Sequence, residues 1–422
     1  MPFRFGSPLG RWLALPLLAA LAAGGSAPRA VLAGDWPQIL GPDRNGIAVD
    51  EQLADSWPDG GPTVLWEREV GSGLAGVAVA EGRVVVFHRL GDEEVAQALD
   101  AASGEEIWKQ SFRTSYRSSI SEDDGPRCVP LLHAGHVYLF GAQGDLHCLS
   151  LASGEVRWTR AAYRDFEAQE GYFGAGSTPL VEDGKLLVNV GGRKGAGIVA
   201  FDLANGETVW QSTDEAASYS SPVAVTVAGQ RQVLFVTRYN FISIDPRDGS
   251  ERFSFPFGKR GPTVNAATPL VIDGHVFLSA NYGVGAVFAR LGADSAETAW
   301  ENDEVMSSQY ATSVFHDGHL YGIDGGESIG AATRLRCFDP FTAEVKWTEA
   351  CENGALLLAG DKLLMLGTDG RLTLVLPSPD EYRELAAAGV LEGTTRALPA
   401  LAGGRLYVRD SQTLKCLDVA AK

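Results

Sequence analysis

The side chains able to do chemistry are spaced in ways that exclude most catalytic templates. Seven histidines occur (His88, His133, His136, His147, His275, His316 and His319), and none falls in the HExxH spacing that sets two zinc ligands and a general base on one helix. His136, His275 and His319 each follow a glycine at one recurring place, which assigns them to a repeat rather than to a metal. No GxSxG segment occurs, so a strained turn presenting a serine nucleophile is missing. Asp43-Arg44-Asn45-Gly46 begins like a calcium loop but lacks the later oxygen ligands and the closing glutamate, and a turn is expected there. Gly191-Gly192-Arg193-Lys194-Gly195 joins two strands and opens no helix, so it is expected to be a hairpin loop rather than a phosphate cradle. The five cysteines are odd in number and contain no CxxC pair, which implies neither a zinc ribbon nor a disulfide framework.

Binding chemistry is better represented. Residues 112–126 carry Tyr116 and Arg117 among acids, and residues 161–176 carry Tyr163, Arg164, Phe166, Tyr172 and Phe173. Aromatic rings and arginine are the residue types that anchor interfaces. Tyr219, Asn265 and Tyr310 stand at comparable positions further along the chain. The candidate recognition surface is therefore Tyr116, Arg117, Tyr172, Tyr219, Asn265 and Tyr310, and no catalytic, cofactor-binding or metal residue is assigned.

The elements that must position these residues follow from composition and repetition. The chain has 422 residues, of which 45% are hydrophobic and 21% charged, so it can bury a core. Its 50 Gly and 20 Pro show no collagen-like period and suit many short strands with tight turns. Lys plus Arg number 35 against 53 Asp plus Glu, a formal charge of −18, which disfavours nucleic acid or an anionic lipid surface as partner. At the N-terminus, Arg4 and Arg11 precede an apolar run from Trp12 to Ala23, and Val31-Leu32-Ala33 offers a cleavage site, so residues 1–33 read as an export signal. That run is shorter than the roughly 18 residues a membrane span requires. No cysteine precedes Cys128 to carry a lipid at the signal's end. A periplasmic or secreted monomer without a membrane span is expected.

A turn followed by an alternating apolar strand recurs eight times, with turn glycines at Gly82, Gly135, Gly184, Gly229, Gly274, Gly318, Gly360 and Gly404. The spacing, about 46 residues, is that of propeller blades. Third strands and second turns follow and lead to an aromatic residue: Trp108, Trp158, Trp210, Phe253, Trp300 and Trp347. Asp100, Asp202, Asp245, Asp339 and Asp418 precede those second turns, where a carboxylate can accept backbone N–H bonds, so they are expected to be structural. Cys148, Cys337 and Cys416 share one repeat position and read as small core residues. The last hairpin lacks a fourth strand, and VLWEREV, residues 64–70, supplies one with Trp66 at the docking position. The expected fold is all-β: one eight-bladed β-propeller of four-stranded antiparallel blades, closed by N- and C-terminal strands sharing a blade. Its expected division is a signal over 1–33, an N-terminal extension over 34–63 and the propeller over 64–422.

DWPQILGPDRNGIA (35–48), NAATPLVIDGHVFLSANYG, WENDEVMSS, DGHLYGIDGG and the tail LPSPDEYRELAAAGVLEG resemble the pyrrolo-quinoline-quinone (PQQ)-like β-propeller repeat family over nearly the whole chain. That family is similar, more remotely, to BamB-like envelope scaffolds and to quinoprotein alcohol dehydrogenases. Arg396 and Phe253 depart from the family pattern at positions expected to pack between blades. The resemblance implies one of two functions. The first is an exported, non-catalytic scaffold or binding module for an envelope protein or a small polar ligand, needing no cofactor. The alternative is a PQQ-dependent dehydrogenase, which would imply a calcium-bound quinone beside adjacent cysteines; no two cysteines here are adjacent.

Overall fold

A computed structural model describes residues 1–3, 34–327 and 332–421; residues 4–33, which hold most of the expected export signal, lie outside the described residues. Strands gather into eight antiparallel sheets arranged as blades: 78–113, 131–161, 180–212, 223–256, 270–302, 314–350, 354–389 and 400–418, taken as blades 1 to 8. Each blade is a meander whose four strands, a to d, run outward from the axis. The first hairpin of a blade closes through two residues of positive φ, as at Glu81 (53°) and Gly82 (72°), the geometry that matches strand twist. Because every blade is a meander, its a–b and c–d turns lie at one end. The b–c turns and the connections to the next blade lie at the other, which forms the mouth.

The sheets bury both faces only by stacking on one another. Seven apolar clusters fill the spaces between neighbours, and one of them spans blades 7, 8 and 1, so the ring has no open gap. In each d strand the register slips by one residue, a bulge that turns the following side chain toward the next blade. Six tryptophans use this turn, and each indole N–H donates to a carbonyl beside the c–d turn of the next blade: Trp66 to Ala101 (3.2 Å), Trp108 to Leu151 (2.8 Å) and Trp158 to Leu203 (2.9 Å). Trp210 reaches Pro246 (3.2 Å), Trp300 reaches Pro340 (2.6 Å) and Trp347 reaches Ser378 (2.7 Å). Gly104 lies on the Trp66 ring so closely that a Cβ there would come within 2.7 Å. Phe253 takes the same place in blade 4 and packs against blade 5 without a hydrogen bond.

The repeated aspartates hold turns, as expected. Asp100 accepts the N–H groups of Ala102 (3.0 Å) and Ser103 (2.9 Å), and Asp202, Asp245, Asp339 and Asp418 accept equivalent bonds. Cys148, Cys337 and Cys416 are fully buried, each facing a tyrosine of strand b (Tyr138, Tyr321, Tyr407) across the sheet. All five cysteines are free thiols.

Thr63–Glu69 pairs antiparallel with Thr413–Asp418 as the outer strand of blade 8, with Trp66 opposite Cys416. The ring is therefore closed by its two ends, as expected. The preceding segment does more than extend the propeller. Trp36 bridges Val79 of blade 1, Pro37 accepts the Leu132 N–H of blade 2 (2.7 Å), and Ile47–Ala48 adds a parallel strand to blade 7. Glu51 accepts the N–H groups of Gly403 and Gly404 in blade 8 (2.5 and 2.7 Å). At the tip of this loop the Arg44 guanidinium, 2% exposed, donates to the carbonyls of Thr178 (3.3 Å), Pro179 and Pro222 (2.8 Å), at the inner strands of blades 3 and 4, and to Gln38 Oε1 (2.9 Å). The sequence from Asp43 to Gly46 is a turn, as expected, but its arginine is a buried strut rather than a loop side chain. The axis is thus stopped by the chain's own N-terminal segment.

Candidate functional site

The mouth is built from b–c turns and blade-to-blade connections around the filled axis. A hollow of about 840 Å³ sits over blades 3 and 4. Three blade-to-blade connections (163–174, 214–219 and 261–262) form its walls together with the b–c turns at 191–193 and 238–239. Tyr172 and Tyr219, both expected at the recognition surface, come together here. Tyr172 is exposed and donates its hydroxyl to the Gly261 carbonyl (3.3 Å). Tyr219 lies deeper; its hydroxyl accepts the Phe173 N–H (2.8 Å), its ring meets Phe173 edge to face at 5.6 Å, and burial pushes its pKa up to about 12. A Cβ on Gly176 would come within 2.3 Å of the Tyr219 ring, so the connection can cross the ring only as glycine.

The other four expected residues lie elsewhere at the same end. Asn265 is 2% exposed and knits connections together: its side-chain amide donates to Thr237 O (2.9 Å) and Phe257 O (3.1 Å), and its backbone carbonyl accepts the Tyr219 N–H (3.0 Å). Tyr116 is 3% exposed beneath the Arg127 guanidinium, which also covers Phe173, each ring at 5.7 Å. Arg117 lines a separate, shallower recess over blades 1 and 2, pairing with Asp92 (2.6 Å) and Asp124 (3.5 Å). Tyr310 donates to Glu327 Oε1 (2.8 Å), and Glu327 in turn forms a two-pronged ion pair with Arg396. That pair corrects the expectation that Arg396 packs between blades: it joins the connection between blades 7 and 8 to the b–c turn of blade 6, because a guanidinium finds an acid there and none in the apolar interblade space.

Sequence reasoning missed Arg193, Asp214, Arg238 and Tyr239, which complete the larger hollow. The signal that could have found them is topological: b–c turns share an end with the blade connections, so RYN at 238–240 and the loop at 191–195 had to stand beside Tyr172. Gly191–Gly195 joins two strands as a b–c turn, the hairpin loop that was expected. His136, His275 and His319 bond through Nδ1 to the carbonyl two residues back (2.9–3.1 Å), which is repeat grammar. Among the described residues no group of three or more His, Cys, Asp or Glu could hold a metal ion.

Also missed was Glu94, buried at the mouth end of blade 1, where it accepts the Ala142 N–H (2.7 Å) from blade 2. Burial pushes its pKa up to about 7; the Ala142 bond, Arg89 and Arg127 pull it back, and Asp145 adds to the rise. The unfolded carboxyl ionises near its ordinary value while the folded one keeps its proton to about 7. Stability contributed at this site is therefore greatest at low pH and falls as pH rises between those values. Glu94→Gln keeps the acceptor without the charge. It should stabilise the protein by about 1–3 kcal/mol at pH 8 and by much less at pH 5, measured by urea unfolding at both. Equal effects at the two pH values would refute the buried charge.

Comparison with known proteins agrees with this geometry. A search of curated proteins finds no significant match. Among solved structures, BamB from Moraxella catarrhalis is similar at 16% identity and a TM-score of 0.58, covering 84% of this chain and 96% of that one. Quinohemoprotein alcohol dehydrogenase from Comamonas testosteroni is similar at 16% identity and a TM-score of 0.66, covering 92% and 81%. At such identities the likeness carries the fold and not the activity. A family model matches directly over residues 91–349, more than half of the chain and the whole of blades 2 to 6, and by that match the chain belongs to the PQQ-like β-propeller family described as outer membrane protein assembly factor BamB.

Proposed function

We propose that this chain is an exported, non-catalytic propeller that binds a partner of the cell envelope, a protein or a small polar ligand, through its mouth. The observation that carries the reading is the mouth itself: the N-terminal segment enters from the a–b turn end, where Glu51 holds Gly403 and Gly404, and fills the axis as far as Arg44, while the connection end presents tyrosine, arginine and acid side chains around an open hollow off the axis over blades 3 and 4. Aromatic and arginine anchors set among adaptable polar and glycine residues are what binding loops use. The donor set does not fit a calcium-bound quinone: the described acids form no metal cluster and the thiols are all free, none adjacent to another in sequence. No reaction step is derived through that group.

Export is supported by the composition of residues 1–33 and by family membership. Among the described residues, no helix is long and apolar enough to cross a membrane. The test immobilises the full chain and measures which envelope components it retains. Arg117→Ala and Tyr219→Ala should each weaken retention of a specific partner by roughly tenfold or more, as interface anchors do. Arg117→Ala, on an exposed loop, should leave unfolding within about 0.5 kcal/mol of the parent. Retention unchanged in both variants would sink the reading of the mouth.

A further inference from the structure

We infer that the hollow over blades 3 and 4 takes an uncharged, polyhydroxylated ligand, a short oligosaccharide of about two to four rings, a size that matches small-ligand cavities. The inference rests on the mouth being the binding end and adds the chemistry of what it binds. The charges already committed within the protein leave a mixed remainder. Glu167 pairs with Lys194 (2.5 Å), and Arg238 donates to Thr263 Oγ1 (2.9 Å) and to the Gly261 carbonyl (2.8 Å) while lying 4.9 Å over the Tyr239 ring. Asp214 accepts the Gly195 N–H through one oxygen (2.7 Å), leaving the other free. The side chains of Gln169, Glu170 and Arg193 are exposed in the lining and make no hydrogen bond or ion pair with the described residues.

An ionic ligand of either sign would meet one of these charges as a like charge. Hydroxyl groups both donate and accept, so they can satisfy amide, carboxylate and guanidinium together. The walls also offer ring faces. Tyr172 and Tyr239 are 40% and 38% exposed, among the few large side chains left open to solvent. Both line the hollow, and the Tyr172 hydroxyl and the guanidinium of Arg238, which lies over the Tyr239 ring, donate to the same Gly261 carbonyl. A sugar ring presents apolar C–H faces between polar edges, which suits a tyrosine's apolar body and polar tip. Below them, Tyr219 and the glycines crossing it form a floor fixed before any ligand arrives. A peptide adding as an extra strand would need a free sheet edge, and this lining consists of turns and connections.

The test titrates the full chain by calorimetry with maltotriose, cellotriose and tri-N-acetylchitotriose, with trilysine and triglutamate as charged controls. At least one trisaccharide should bind saturably at one site. Tyr172→Ala and Tyr239→Ala should each weaken it at least about tenfold, in line with the loss of a stacked anchor, with melting temperature unchanged. Lys109→Ala, on the exposed outer strand of blade 1 and away from the mouth, should bind as the parent does. Absence of binding by all three sugars, tighter binding of either charged peptide, or full binding by both tyrosine variants would overturn the inference. Failure of sugar binding with Arg117-dependent capture of an envelope protein would overturn it and leave the proposed function standing.

Discussion

A chain lacking residues 34–62 is expected not to fold stably. The segment buries Trp36, Leu40, Ala48 and Leu53, each exposed by 4% or less. Burying a side chain of the larger kinds contributes about 1.5–3 kcal/mol, so these groups together approach the entire stability of an ordinary domain, about 5–15 kcal/mol. The point probe is Arg44→Ala. Its guanidinium donates to three carbonyls of two inner strands and to Gln38, all shielded from water, and burial lowers its pKa to about 9. Removing it strands acceptors that water cannot reach, at about 1–3 kcal/mol each, and relief of a buried charge offsets part of that. A net loss of about 3 kcal/mol in chemical unfolding is expected. Arg44→Lys should recover little of it, because a compact ammonium cannot span the same carbonyls as a planar fork. If Arg44→Ala unfolds at the parent's denaturant concentration, the loop is an ornament on a self-sufficient ring.

The second large effect is expected at the seam. Trp66→Ala should destabilise by about 3–5 kcal/mol, the range for emptying a buried aromatic site. The ring is 6% exposed, lies against Gly104 of blade 1 and tilts at 5.8 Å to Tyr407 of its own blade. Trp66→Phe should keep most of the packing and lose the bond to Ala101, a smaller loss of about 0.5–1.5 kcal/mol. The same pair of substitutions at Trp210, which is only half buried, should give smaller losses. The distinctive consequence at Trp66 is local. This strand completes the last blade, so hydrogen exchange should quicken in blade 8 before the rest. Uniform protection in Trp66→Ala would show that closure does not depend on the docked ring.

What residue order determined by itself was everything carried by contacts within a blade or repeated identically between blades. An Xaa-Gly turn sets φ locally, an alternating run sets which face is buried, and an aspartate ahead of a turn finds its N–H donors two or three residues on. Eight copies of that grammar, with one strand missing at the end and one spare near the start, were enough for the blade count, the closure and the structural standing of Asp100 and Cys148. Tertiary structure alone decided what depends on residues remote in sequence and not repeated. Arg44 meets Pro222 across 178 positions, Arg396 meets Glu327 across 69 and Glu94 meets Ala142 across 48. Nothing in the spacing of an arginine or a glutamate states which carbonyl or N–H will stand opposite once eight blades have closed. The hollow at the mouth is of the same kind: Tyr172, in the connection between blades 2 and 3, and Tyr239, in a turn of blade 4, line it together, and the Gly261 carbonyl accepts from both Tyr172 and Arg238.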